Sequence, residues 1–210
     1  MMKSIFFGVV AVAVAILTFY QDTAQAQEQA GTPDQGIYKW DAMDSQCLNA
    51  LHGQINKEFD ASIVYLKFAA HFAQEKINLP GFEKFFFHAA GEEREHGIKL
   101  IEYALMRGHG PINKNFNLDY SFQIPSGTDG ESALRFALKK EEEVTQSIRQ
   151  VIKACEEGTN DYHLADYLTG EYLDEQHKGQ RELAEKIATL NKMKKSAPKL
   201  GEFLFDKNHM

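Results

Sequence analysis

Apolar side chains recur at alternating spacings of three and four residues along four long segments of this 210-residue chain. That spacing predicts helices that each bury one face against other helices. All five prolines lie where the periodic pattern breaks, as expected of residues that end helices. The pattern predicts long helices over residues 43–74, 79–107, 130–157 and 160–191, and a short fifth helix over residues 199–206.

The connections between these helices predict how they pack. Short segments join the first helix to the second and the third to the fourth, so each pair forms an antiparallel hairpin. Residues 108–129 differ, because about 22 extended residues can run the length of a helix. This segment predicts an extended crossover with one buried side, open to pairing with a second copy of the chain, because five apolar residues alternate with more polar ones: Phe116, Leu118, Tyr120, Phe122 and Ile124. The predicted fold class is all-α, a four-helix bundle with a long crossover and a short fifth helix.

Polar residues interrupt the apolar stripe of each long helix near its middle. The first helix carries Glu58, the second Glu93 and His96, and the third Glu141. The fourth helix carries Gln176 at the corresponding place, in a stripe that also includes Thr169 and Tyr172. Glu93 and His96 are three residues apart and therefore share a helix face. Antiparallel packing would bring all of these side chains to a similar height inside the bundle.

Such a cluster predicts a metal site. Buried carboxylates repel one another and raise one another's pKa unless a cation neutralises them. A lone buried glutamate is more often an ion-paired core residue, but interruptions at one level in four helices favour a metal. Oxygen ligands with a single imidazole suit iron or manganese better than structural zinc, and Glu93 can bridge two ions. Glu142, Glu143 and His177 lie off the stripes and are interpreted as surface residues.

Charge and cysteine content narrow the range of functions. The chain has a net charge of −7 and no cluster of Lys or Arg, which argues against binding to nucleic acid. Its two cysteines, Cys47 and Cys155, lack the C-x-x-C spacing, so a thiolate metal site is not expected.

Residues 1–26 are interpreted as a secretory signal peptide. Lys3 is followed by an apolar run over residues 5–20 and then by the small-residue pattern Ala24-Gln25-Ala26. A transmembrane anchor is the alternative, but the run is shorter than the roughly 20 residues that a membrane span requires. Cleavage would leave no membrane span and place the chain outside the cell or in the secretory-pathway lumen. An N-terminal extension over residues 27–40 would then precede the helical domain of residues 41–210.

Four motifs resemble ferritin, specifically the heavy-chain, ferroxidase type of the secreted insect ferritins: INKEFDASIVYL, GEEREHGIKL, EYLDEQ and LGEFLFDK. The resemblance covers residues 40–207 and implies a ferritin-like di-iron domain. It assigns a first iron to Glu58, Glu93 and His96, with Glu93 bridging. It assigns a second iron to Glu93, Glu141 and Glu92, with Gln176 nearby, and places Tyr65 beside the centre.

The resemblance also implies an activity and an assembly. Two Fe(II) ions per subunit would bind as substrate, O2 would oxidise them, and a shell of 24 subunits would store the ferric mineral. The partners would be identical subunits and light-type ferritin chains. The fifth helix would line fourfold pores and the start of the fourth helix would line threefold pores, where Asp166 matches an acidic position but Thr169 replaces the second acid.

Three other readings stay open. A non-catalytic light-type chain, serving structure and mineral nucleation, would lack one or more ligand positions, and none is lost here. A di-iron oxidase would carry a second Glu-x-x-His motif. A smaller DNA-protecting cage would lack the fifth helix.

The crossover also bears on the cysteines. If it runs the length of the bundle, the second and third helices point the same way, and the start of the first helix meets the end of the third. Cys47 and Cys155 would then be neighbours able to form a disulfide. The alternative is a disulfide to another subunit.

Overall fold

The computed structural model describes residue 40 and residues 43–109, 116–158 and 160–210. These residues contain helices and connecting segments but no strand. The predicted all-α class is therefore confirmed. The predicted signal peptide, and the predicted extension apart from Trp40, lie outside the described residues. Within the part of the chain that is described, no helix is both long enough and apolar enough to cross a membrane.

Four long helical stretches and one short helix make up the fold. They comprise α1 (Ser45–Phe72), α2 (Pro80–Met106), α3 (Gly130–Gly158), α4 (Tyr162–Tyr167), a π-helical segment (Leu168–Leu173), α5 (Asp174–Lys194) and α6 (Pro198–His209). The predicted fourth helix corresponds to α4, the π-helical segment and α5 in direct succession.

Local sequence explains where several of these helices begin. The Asp44 side chain caps α1 by accepting hydrogen bonds from the backbone N–H groups of Gln46 at 2.7 Å and Cys47 at 2.9 Å. Asp161 caps α4 in the same way. Proline occupies the first turn of both α2 and α6, where the missing N–H group would have no helical partner.

The first two helices form an antiparallel pair, and α3 packs against both α1 and α5. The start of α1 meets the end of α3, where Cys47 and Cys155 form an intrachain disulfide with their Cα atoms 4.4 Å apart. The second and third helices therefore point the same way, as the long crossover predicts.

The described part of the crossover follows α1 toward its C-terminal end. Asn56 and Asp60 on α1 accept hydrogen bonds from the backbone of the crossover, and Lys67 donates to the carbonyl oxygens of Tyr120 and Phe122, each at 2.6 Å. The predicted buried side forms only in part, because Leu118, Phe122 and Ile124 are half-buried and the residues between them are exposed. Phe122 and Ile124 pack on the core, whereas Phe116 and Tyr120 are exposed, and no strand forms in residues 116–129.

Two apolar clusters fill the bundle, one at each end. The cluster at the disulfide end includes Leu51, Ile55, Leu100, Ile148 and Leu168. The other is rich in aromatic rings and includes Phe68, Phe72, Phe82, Phe86 and Phe205. Buried polar side chains lie between the two clusters, at the middle of the long helices.

The last helix closes the aromatic end of the bundle. Phe205 is fully buried, and Asp206 accepts a hydrogen bond from the backbone N–H of Phe82 at 2.9 Å. Glu202 likewise accepts from the N–H of Gly130 at 2.7 Å. Two carboxylates of α6 therefore satisfy N–H groups that the starts of α2 and α3 leave without helical partners.

Candidate metal centre

Three buried side chains from α1 and α2 converge at the middle of the bundle. Glu58, Glu93 and His96 each offer one ligand atom, and these atoms lie within 4.8 Å of one another. The i, i+3 spacing on α2 places Glu93 and His96 on the same face, and antiparallel packing brings Glu58 opposite them.

The facing atoms of this triad have no hydrogen-bond partner among the described residues. His96 Nδ1 lies 4.0 Å from Glu58 Oε2 and 3.9 Å from Glu93 Oε2, and all three atoms are buried. The other oxygen of Glu58 accepts a hydrogen bond from Gln54 Nε2 at 2.7 Å. Buried polar atoms are usually hydrogen-bonded, so three orphaned ligand atoms facing one another indicate a cation site.

The pKa shifts of Glu58 and Glu93 also favour a cation site. Burial raises the pKa of the Glu58 carboxyl well above its ordinary value, and the neighbouring Glu93 raises it further. Burial is also the largest cause of the raised pKa of Glu93, followed by repulsion from Glu141. A divalent cation would remove this penalty, because it stabilises the ionised carboxylates.

A second group of polar residues adjoins the triad. Glu141 on α3 accepts hydrogen bonds from the Tyr65 hydroxyl and, at 2.8 Å, from Gln176 Nε2. Gln176 in turn accepts from Thr145 Oγ1 at 2.8 Å. Both oxygens of Glu141 therefore already have hydrogen-bond partners, and its charge acts on Glu93 of the triad.

The remaining predicted residues lie further out. Glu92 is 48 % exposed and pairs with His88 Nδ1 at 3.1 Å. It lines the mouth of the centre rather than its interior. Glu142, Glu143 and His177 are exposed, as their positions off the stripes predict. Asp166 is exposed on α4, and its predicted place at a pore stays a prediction.

A cavity of about 260 Å³ leads from the surface to the centre. Side chains of α1, α2, α3 and α5 line it, among them Tyr65, Glu93, His96, Glu141 and Gln176. Three further carboxylates, Glu92, Glu175 and Glu182, lie along the same opening. Five carboxylates and one lysine, Lys178, line the cavity together with apolar side chains, so its charged groups are mainly acidic and suit a small cation.

Sequence reasoning misplaced one residue of the fourth helix and missed two polar residues near the centre. Thr169, assigned to the apolar stripe, is exposed, whereas Leu168 is buried, because the π-helical segment shifts the register of the buried face. Gln54 is fully buried one turn before Glu58, a spacing that could have identified it. Glu175 precedes Gln176 and contacts His96, and no sequence signal identifies it.

The chain is similar to known proteins in sequence and in structure. A family model described as "Ferritin-like domain" matches residues 48–193. The chain is 77 % identical to a ferritin heavy chain of Aedes aegypti over the full length of both chains. It is 48 % identical to a ferritin heavy chain of Drosophila melanogaster, covering 80 % of this chain and 83 % of the relative. The crystal structure of Trichoplusia ni secreted ferritin matches with a TM-score of 0.76 and 48 % identity, covering 81 % of this chain and 92 % of that one.

Proposed function

The chain belongs to the ferritin family, and we propose that it stores iron by oxidising Fe(II) with O2 at the centre formed by Glu58, Glu93 and His96. The observation that carries this proposal is the convergence of three buried, unpartnered ligand atoms on one point. The names of the relatives, ferritin heavy chains, support the same activity.

In this proposal the triad binds the first Fe(II), with Glu93 positioned to bridge to a second ion. Glu93 and Glu141 would bind the second Fe(II), with Glu92 supplied from the mouth and Gln176 nearby. Glu141 already accepts hydrogen bonds from Tyr65 and Gln176, whereas the facing atoms of the triad have no partner among the described residues, so we expect the triad to fill first. Two Fe(II) ions give up one electron each, and these electrons with two protons reduce O2 to H2O2.

Release of the product follows from the unequal ligand sets. Gln176 contributes a neutral amide at the second site, where a carboxylate would bind Fe(III) more tightly. The acidic cavity would lead the oxidised ions away from the centre. We further propose that 24 subunits, of this and a light-type chain, form the shell that stores the mineral, and that residues 1–26 direct the chain into the secretory pathway.

Stopped-flow measurement of Fe(II) oxidation by the assembled recombinant protein tests the proposal. Replacement of both Glu58 and His96 by Ala should abolish fast oxidation, with assembly checked by sedimentation. The matched control replaces Glu142 and His177 by Ala, one exposed glutamate and one exposed histidine, and should oxidise Fe(II) like the wild type. Unchanged oxidation in the Glu58/His96 variant would refute the site.

A further inference from the structure

The ring of His96 has a contact on the side opposite the triad. Its Nε2 atom lies 3.2 Å from Oε2 of Glu175, which α5 places at the mouth of the cavity. The imidazole is buried, with 9 % of its side-chain surface exposed, whereas Glu175 is about half exposed. Nδ1 of this ring therefore faces Glu58 and Glu93, whereas Nε2 faces Glu175.

This orientation restricts which nitrogen can bind a metal. Nδ1 faces Glu58 and Glu93 at about 4 Å, so Nδ1 must present its lone pair to an ion held there. In the neutral ring the proton then lies on Nε2, which needs an acceptor on the far side. Oε2 of Glu175 lies 3.2 Å from Nε2, within hydrogen-bond distance of that nitrogen.

We propose that Glu175 is a positioning residue for the iron centre: it accepts the Nε2–H of His96 and so keeps the Nδ1 lone pair directed at Glu58 and Glu93. This inference rests on the proposed function, because it concerns the first-filled iron site. A carboxylate on the outer nitrogen fixes the tautomer and orientation of a metal-binding histidine and raises its basicity.

The π-helical segment and α5 also hold His96 through a second residue. The Tyr172 hydroxyl donates to the backbone oxygen of His96 at 2.9 Å, and the two rings lie 5.4 Å apart between centroids. Tyr172 and Glu175 are three residues apart and so face α2 together. The next residue, Gln176, contacts Glu141 instead. Two consecutive residues of α5 thus contact different parts of the centre: Glu175 contacts His96 of the triad, and Gln176 contacts Glu141.

Binding of Co(II) to the metal-free assembled protein, measured by calorimetry and by the visible absorption of the bound ion, tests the inference. We expect Glu175→Ala to weaken the histidine-containing site by about 10- to 100-fold, the range found for such outer partners. Glu175→Gln keeps an acceptor oxygen and should retain more of the affinity. Glu185→Ala removes an exposed carboxylate from the same helix at a position that does not line the cavity, and it should bind Co(II) like the wild type.

A double-mutant cycle separates positioning from direct ligation. In a His96→Ala background, Glu175→Ala should cause no further loss, because its effect passes through the ring. An equal loss in both backgrounds, or wild-type affinity in Glu175→Ala alone, would overturn the inference. Failure of the proposed function would instead appear in the wild type, as absent Co(II) binding and slow Fe(II) oxidation.

Discussion

The buried carboxylates of Glu58 and Glu93 should make the metal-free protein less stable than a variant that lacks one of them. Oxygens of Glu58 and Glu93 lie within 4.8 Å of each other. Two ionised carboxylates at that separation repel by at least about 3.5 kcal/mol at an effective dielectric constant near 20. Glu58 is fully buried, so its charge is also poorly hydrated. Glu58→Gln should therefore stabilise the metal-free fold while removing a ligand.

The size of the gain follows from what glutamine can still do at this position. It has the shape of glutamate, its carbonyl can keep the hydrogen bond from Gln54, and its amide can donate to Glu93. Partial protonation of the wild-type cluster already relieves some repulsion, so we expect a net gain of about 2 kcal/mol. For a chain of this size that corresponds to a rise in Tm of roughly 4–8 °C.

Bound metal should make the wild type more stable than the Glu58→Gln variant. Co(II) at 100 times its Kd would stabilise the wild type by about 2.7 kcal/mol, and Glu58→Gln should lose most of this gain. Thermal unfolding of the assembled protein, with chelator and then with Co(II), measures both effects. Glu142→Gln is the matched control, because it removes the same charge from an exposed position, and it should leave both transitions unchanged.

The dependence on pH gives an independent check. The folded-state pKa of Glu58 is raised above the ordinary value of 4.5, so the folded protein holds a proton that the unfolded chain releases. Stability of the metal-free wild type should therefore fall as pH rises above about 4.5, and Glu58→Gln should fall less steeply. A variant less stable than the wild type without metal would refute the reasoning, because Glu58 would then stabilise the fold by some other contact.

Two further predictions concern the disulfide end of the bundle. Replacing Cys47 and Cys155 by Ser opens a loop of 108 residues and should lower the free energy of unfolding by about 4 kcal/mol. Guanidinium denaturation measures this loss. A band of twice the subunit mass on a non-reducing gel of the wild type would contradict the intrachain disulfide. Asp161→Asn should cost about 3 kcal/mol, because Arg107 is buried and donates to both oxygens of Asp161 at 3.0 and 2.8 Å. Burial is the largest single effect and disfavours the charged form of Asp161, but the hydrogen bonds from Arg107 and the Leu164 N–H, together with the charge of Arg107, outweigh it and lower the pKa of Asp161. The contribution of Asp161 to stability is therefore present above the unfolded-state value of 3.8 and should be lost as pH falls through the folded-state pKa. Acid denaturation of the variant should lack this loss.

The stripe residues show what helical periodicity can predict. A spacing of three and four fixes which face of a helix a residue occupies, whatever packs against that face. The five polar interruptions are accordingly all buried at one level of the bundle: Glu58, Glu93, His96, Glu141 and Gln176. Connection length predicted that Cys47 and Cys155 are neighbours, because a long crossover reverses the direction of the second hairpin, and the structure favours the intrachain disulfide over a bond to another subunit.

Periodicity fails where the backbone departs from the ideal helix or strand. The π-helical segment exposes Thr169 and buries Leu168, because each π turn adds a residue that the 3.6-residue period does not count. In the crossover, strict alternation predicted a buried side that Phe116 and Tyr120 do not share. An extended segment without a paired neighbour has no ladder to hold its side chains on alternate faces.

Contacts between individual atoms depend on how neighbouring helices slide and rotate against each other, which spacing along one helix does not encode. Glu175 contacts His96 only because the packing of α5 places the Glu175 side chain beside α2. The two apolar clusters hold the helices in that register from both ends, so the unfavourable carboxylates between them stay buried and directed at one point. A cation bound at the proposed site would therefore relieve the repulsion between Glu58 and Glu93 that the metal-free protein retains.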